Sequence, residues 1–419
     1  MSQIDKVLSL IREEDVVKLA VDLGNIYAPT GHEKPIGDFI FDWLKKNGFQ
    51  TVRQEPAKDR FNVLGTLKGT GEGHSLILNS HMDTDIGAPE DYWTVGELQP
   101  VHNLAWVEGD TIMGRSVVND RGPMTGTMIA AKAIKDSGAK LKGDLILTMV
   151  VGEIGQAPID EFQGPTYLGK GLGTIHLVNH GVLADYALVA ERTAFTLTWA
   201  EAGAAYFKIT VRGQGGIYTP YIKRPTSIEQ NPNAVVKMTK VVQALEEWAY
   251  NYERKNTVDF PSGTIIPKVN IGAIRGGVPY KPSKTVGVCS IYVDVRTLPG
   301  KGPLEVGKEL RELMAKTGID ADIEMYLFRK GYEGKNVKRL VESIEKAHES
   351  IFKKKPEKID SGTTSMWRDI NVFNAIGIPS VTYGPGATKF YAGVAINDLV
   401  TISKLYAKIA LDICNETRD

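Results

Sequence analysis

Cysteine is nearly absent from this chain: Cys289 and Cys414 are the only two in 419 residues. Two thiols make no disulfide framework and no cysteine-based zinc site, so any metal would rest on histidine, carboxylate or amide ligands. An excess of either charge is missing too, since Lys+Arg and Asp+Glu number 50 each. That balance argues against nucleic acid or an anionic membrane as the main partner and points to a small-molecule substrate. No apolar run reaches the roughly 18 residues of a membrane span. The opening Met1-Ser-Gln-Ile-Asp-Lys-Val is charged and has no signal-peptide apolar core, so a soluble, cytoplasmic protein is expected. Repeats and low-complexity tracts are absent as well. A chain of this length exceeds what one core usually supports, and two domains are expected.

What is present begins with Ser75-Leu-Ile-Leu-Asn-Ser-His81-Met-Asp83-Thr84, an apolar strand that delivers a histidine and then a carboxylate at its carboxyl end, where open α/β sheets bind ligands. A histidine binds metal through one ring nitrogen while a nearby carboxylate holds the other N–H. Three more apolar runs end in polar residues: Leu145–Val151 before Gly152-Glu153, Tyr186–Ala190 before Glu191, and Pro379–Tyr383 before Gly384-Pro-Gly386. Continuous apolar runs suit strands covered on both faces, as in a parallel sheet. Between them lie helical patterns. Ala130–Ile134 follows the Asn119-Asp-Arg-Gly122 turn, Val337, Leu340, Ile344, Ala347 and Ile351 recur at helical spacing, and a last helix is predicted after Asn397 as N-cap.

The middle alternates instead. Phe207, Ile209 and Val211, then Cys289, Ile291, Val293 and Val295, mark half-buried antiparallel strands. A helix follows each, the first predicted to be capped by Asn231 with Pro232 in its first turn. With strands at Lys268–Ile274 and Ile323–Phe328, the order is that of a ferredoxin-like insert. The predicted architecture is an α/β catalytic domain, an open and mostly parallel sheet with helices on both faces. Its parts, residues 1–200 and 330–419, flank a ferredoxin-like α+β lid at 201–329.

In this frame the strand-end motifs resemble those of the M20 family of metallopeptidases and aminoacylases, over nearly the full length. The family's His-x-Asp-Thr matches His81-Met-Asp83-Thr84; its Gly-Arg-Gly-x-x-Asp-x-Lys-Gly turn resembles Gly114 to Gly122; its Glu-Glu-x-Gly resembles Gly152-Glu153-Ile-Gly155; and its Glu-Pro-Thr resembles Glu191-Arg-Thr193. The resemblance implies a zinc-peptidase-like fold and lids that pair, hence a homo-oligomer. It also implies an Asp-x-Arg arginine, Arg296, that grips a substrate carboxylate, with a surface pair to Asp294 as the plainer reading. Asp369 matches a family aspartate of structural role.

Family members hold two zinc ions that share an aspartate, and this chain departs from that pattern. The bridging aspartate becomes Asn119, with Asp120 beside it on a variable position. The usual general base becomes Gly152, and no histidine lies in Gly384–Ile396, where Thr388 falls near the family's late histidine. The lid histidine falls at Ile217 or Tyr218, and the lid asparagine at Ser283. One metal is therefore expected, held by His81, Asn119 and Glu191. A neutral amide bridges two dications poorly, and the imidazole, amide and carboxylate set suits Mn²⁺ foremost, with Zn²⁺, Co²⁺ or Fe²⁺ as alternatives.

A single metal still activates water, and Glu153, freed from the lost ion, takes the base role while Asp83 steadies His81. Remaining a ligand is the other reading of Glu153. Loss of the lid histidine removes an oxyanion donor that amide hydrolysis normally needs. Tyr218, Tyr221, Tyr280, Trp367, Phe390 and Tyr391 offer flat surfaces for an aromatic substrate; lid–core packing is the plainer reading of each. The resemblance, taken to family members that have shed the second metal, implies removal of an amino group from a small carboxylate-bearing aromatic amine, of the 5-nitroanthranilate to 5-nitrosalicylate type. The alternatives are a dipeptidase or N-acyl amino acid deacylase, and an inactive ligand-binding relative. His32, His74, His102, His176, His180 and His348 lack partners at ligand spacing, and Gly169-Lys-Gly171-Leu-Gly173 fits no nucleotide motif.

Overall fold

A computed structural model describes residues 2–388 and 392–418; Phe390 and Tyr391 lie outside the described residues. The chain forms two compact units, Met1–Trp199 with Gly334–Ile359 and Arg368–Asp419, and Ala200–Glu333 with Asp360–Trp367. The short segment Asp360–Trp367, expected in the catalytic part, joins the second unit. There Ala202 N–H donates to the Thr364 carbonyl at 3.1 Å, and Ile266 N–H to Ser365 Oγ at 2.9 Å.

The first unit is built on a seven-stranded sheet. From edge to edge its strands are Gln50–Ala57, Arg60–Leu67, Leu145–Val150, Leu76–His81, Tyr186–Val189, Ser380–Tyr383 and Leu197–Thr198. The four central strands run parallel, and antiparallel neighbours finish both edges. Leu76–His81 is buried along its whole length, as a strand covered on both faces must be. Helices Gly122–Asp136 and Ile396–Cys414 pack on each other and contribute Met124, Met128, Leu399, Ile402 and Ile409 to one core. The last helix starts earlier than predicted, with Ala395 as its N-cap. The strand Gly393–Ala395 runs straight into it, which puts Asn397 in the first turn.

The second unit carries the ferredoxin-like motif. Its four-stranded antiparallel sheet has the order Val269–Gly276, Val288–Thr297, Gly203–Arg212, Ala321–Arg329. Phe207, Ile209 and Val211 stand opposite Val293, Ile291 and Cys289. With Met238 and Leu245 from helix Ala234–Lys255, and Val306 and Leu310 from helix Pro303–Thr317, they close a separate core. Asn233, not Asn231, caps the first of these helices by accepting Val235 N–H at 3.0 Å. Asn231 Oδ1 instead holds the Asn233 N–H at 2.9 Å. Among the described residues no helix is long and apolar enough to cross a membrane.

Candidate metal centre and active site

Strand register gathers the site. His81 pairs with Val150 and Asn79 with Val189, so three parallel strands reach their carboxyl ends together and release His81, Gly152-Glu153 and Glu191 at one rim. This is where an open α/β sheet places its ligand. The next strand adds a close approach: a Cβ on Gly384 would collide with the Glu191 carbonyl oxygen. The polypeptide after Glu191 is tied down there by Thr193 N–H and Ala194 N–H, which both donate to the Pro385 carbonyl.

His81 is buried and held from several sides. Its Nδ1 lies 2.9 Å from the Asp83 backbone oxygen and 3.5 Å from Asp83 Oδ1. Its Nε2 faces Asn119 Oδ1 at 3.2 Å and Glu191 Oε1 at 3.6 Å. Asp120, joined to Asn119 by a cis peptide bond, accepts the His81 backbone N–H through Oδ2 at 3.2 Å. Its Oδ1 has no hydrogen-bond partner. Ligand atoms each roughly 2.1 Å from one ion stand no more than about 4.2 Å apart, so the spacings around Nε2 suit a bound cation. His81, Asp120 and Glu191 place ligand atoms within 4.8 Å of one another, a looser bound than that limit but close enough to form one candidate cluster. Buried carboxylates that lack partners are costly without a cation, and this donor set fits one. Both Asn119 and Asp120 therefore stand at the centre, of which the expected set included Asn119 alone.

Asp83 does more than face His81. It accepts Glu153 N–H at 3.1 Å, Ile154 N–H at 3.0 Å and Thr30 Oγ–H at 2.8 Å. Burial pushes its carboxyl up, but the His81 hydrogen bond and charge and these other donors win, holding it down at about 2. Arg121, where the family turn has lysine, donates to the Met82 carbonyl at 3.3 Å and to those of Leu23 and Ile26. The His81-Met-Asp83 corner is thus clamped on both sides.

Glu153 is buried, and its Oε1 has no hydrogen-bond partner. Burial raises its carboxyl to about 8 even though the His81 and Lys170 charges pull it down. A buried carboxyl perturbed this far, at a strand end beside a cluster that could hold a metal, is a candidate for proton transfer. Gly152 adopts φ +63°, and a Cβ there would stand 2.8 Å from Arg60 Nη2. Arg60 is itself paired with Glu33 through Nε at 2.8 Å and Nη2 at 2.5 Å, both side chains buried. The space a side chain at 152 would enter is filled.

The profile of peptidase family M20/M25/M40 matches residues 77–412. The chain belongs to peptidase family M20. This M20 chain is 24% identical over 445 residues to the N-formyl-4-amino-5-aminomethyl-2-methylpyrimidine deformylase of Bacillus subtilis (strain 168), covering 96% of itself and 94% of that protein. Its fold is similar to the di-peptidase Dug1p of Saccharomyces cerevisiae, with a TM-score of 0.74, 13% identity and 100% of both chains covered. It is also similar to YXEP of Bacillus subtilis, a dinuclear metal-binding M20 peptidase, with a TM-score of 0.60, 14% identity and coverage of 96% and 98%. As an M20 member the chain is a metal-dependent hydrolase.

The other predicted residues fall in different settings. Arg296 and Tyr218 belong to the second unit. Arg296 donates to Asp294 Oδ2 through Nε at 3.1 Å and Nη2 at 2.9 Å, the plainer arrangement foreseen for it. Tyr218, Tyr221 and Tyr280 are exposed, whereas Trp367 is buried, so Trp367 offers no open stacking face. Asp369 accepts Asn79 Nδ2–H at 3.0 Å and Thr174 Oγ–H at 2.7 Å, a structural role. Sequence reasoning missed Arg368, whose Nε donates to Glu191 Oε2 at 3.2 Å with both side chains buried. An arginine between Trp367 and Asp369 carries no local signal of burial; its only mark was adjacency to a matched aspartate.

Proposed function

We propose that this M20 hydrolase works with one divalent ion, Mn²⁺ foremost, held by His81, Asn119 and Glu191, with Asp120 as the alternative oxygen donor. The observation that carries the reading is the pairing of a neutral Asn119 at His81 Nε2 with a filled Gly152 position. Together these remove both the bridging carboxylate and the usual base. When bound, the ion supplies Lewis-acid activation of water. Glu153, buried and with an unpartnered Oε1, in its ionised form takes a proton from the attacking water and returns it to the leaving nitrogen. Asp83 orients the His81 ring from behind. Arg296 grips a substrate carboxylate, and Tyr218 lies against the substrate.

The substrate we favour is a small carboxylate-bearing aromatic amine that releases ammonia, in the manner of 5-nitroanthranilate becoming 5-nitrosalicylate. Support comes from Ile217 or Tyr218 standing where the oxyanion-stabilising histidine would be, since an electron-poor ring holds negative charge within itself. A second reading, amide hydrolysis, is favoured by the full-length similarity to a deformylase. The test is turnover of aromatic-amine and N-formyl or N-acyl panels with Mn²⁺ added, detecting ammonia, formate and free amino acid. Ammonia from aromatic amines supports the first reading; formate or amino acid alone overturns it for the second.

We further propose that the second unit pairs two chains into a homo-oligomer.

A further inference from the structure

Glu191 divides its carboxylate between two neighbours. Oε1 lies 3.6 Å from His81 Nε2, and Oε2 accepts the Arg368 Nε–H at 3.2 Å. The arginine side chain is 3% exposed and the glutamate 7%, so water screens this pair little. Arg368 is also held in place. The next residue, Asp369, is anchored by Asn79 and Thr174, and Asn79 lies two residues before His81 on the same strand. The contacts therefore close a ring: His81, Glu191, Arg368, Asp369, Asn79, and back along the strand to His81. Such a ring fixes the guanidinium against the ligand carboxylate instead of leaving it to swing away.

We propose that Arg368 is the internal counter-ion of Glu191, a positioning residue that competes with the metal for that carboxylate and so sets how loosely the ion is held. Two physical arguments give the same sign. Without metal, the ion pair stabilises the empty site, because a buried carboxylate stripped of its partner is costly. With metal, a fixed positive charge beside the ligand repels the incoming dication. Removing the arginine charge raises the free energy of the empty site and relieves repulsion in the loaded one, so binding tightens. A merely structural role predicts the opposite, since loosening the Glu191 support weakens the site. This inference rests on the reading of Glu191 as a metal ligand.

The test is isothermal titration of Mn²⁺ into the chelator-stripped full-length chain. Arg368→Met and Arg368→Gln are expected to bind Mn²⁺ at least about tenfold more tightly than wild type, and Arg368→Lys, which keeps the charge, within about threefold of it. Unchanged or weaker binding in folded neutral variants overturns the counter-ion role. If neither neutral variant folds, the wild-type Arg368 Nε–H resonance in arginine-labelled protein decides: a shift on adding diamagnetic Zn²⁺ supports competition for Glu191, and an unmoved signal overturns it. Glu191→Gln, titrated in parallel, separates the two claims. If its affinity equals that of wild type, Glu191 is not a ligand and the underlying reading fails. If its affinity collapses while the Arg368 variants stay unchanged, only the counter-ion role fails.

Discussion

Gly152 and Arg60 compete for one volume: a Cβ on the glycine would stand 2.8 Å from the guanidinium Nη2, on a backbone at φ +63°. Position 152, where the family resemblance would put the general base, is thus closed by a buried arginine. Arg60 cannot retreat easily, because Nη1 also donates to the Pro165 and Leu168 carbonyls at 2.7 and 2.6 Å.

Restoring glutamate at this position should therefore not restore an ordinary site. Gly152→Glu is expected to lose about 1–3 kcal/mol of stability from the left-handed backbone alone, with further loss from the clash, and to gain no peptidase activity. Thermal melting with a dipeptide assay checks this; a stable, newly active variant would refute the packing argument.

The Glu33–Arg60 pair is expected to be costly to break from one side. Its side chains are fully or almost fully buried, and Glu33 Oε1 also accepts Gly152 N–H at 3.1 Å. Arg60→Met should destabilise by about 3–5 kcal/mol by leaving a buried charge uncompensated. Denaturant unfolding at pH 7 measures it, and a loss below about 1 kcal/mol would mean that Glu33 finds water or another donor.

Glu153→Gln carries two expectations. Turnover should fall by about 10²- to 10⁴-fold while metal content stays near wild type; loss of the metal would make Glu153 a ligand. The second concerns stability without metal. Burial raises the folded-state pKa to about 8 from an ordinary 4.5, so folding favours the protonated form. The resulting stability is fully present below about pH 4.5 and is lost as pH rises through about 8. Glutamine is neutral throughout, so the chelated variant should match wild type near pH 5 and exceed it by up to a few kcal/mol at pH 8.5. A difference that does not change with pH would show that Glu153 titrates normally.

Asn119→Asp places a carboxylate at His81 Nε2, where the amide oxygen lies 3.2 Å away. Added negative charge in a buried site should raise Mn²⁺ affinity by about tenfold or more. Equilibrium dialysis of this variant beside Asp120→Asn identifies the ligand. If Asp120→Asn abolishes binding and Asn119→Asp changes nothing, the metal sits on Asp120.

Much of the site was legible in sequence because its geometry is nearly one-dimensional. His81 ends an apolar strand and Glu153 and Glu191 each follow one, and parallel register brings these strand ends together without reference to distant detail; Asn119 and Asp120 come instead from the turn before a helix. Helix starts were less legible. Asn231 and Asn233 lie two residues apart with equal capping chemistry, and which one accepts the helix N–H depends on the approach of the preceding chain.

By itself the sequence determined the α/β frame, its antiparallel insert and the family. All of these reside in local periodicity and in which residue type occupies a strand end. Only the tertiary structure decided that Asp120 shares the centre with Asn119, that Arg60 fills the space beside Gly152, and that Arg368 pairs with Glu191. Those are contacts between residues up to 177 positions apart, set by the packing of buried charges, and nothing in the local sequence encodes which charge a buried arginine will meet.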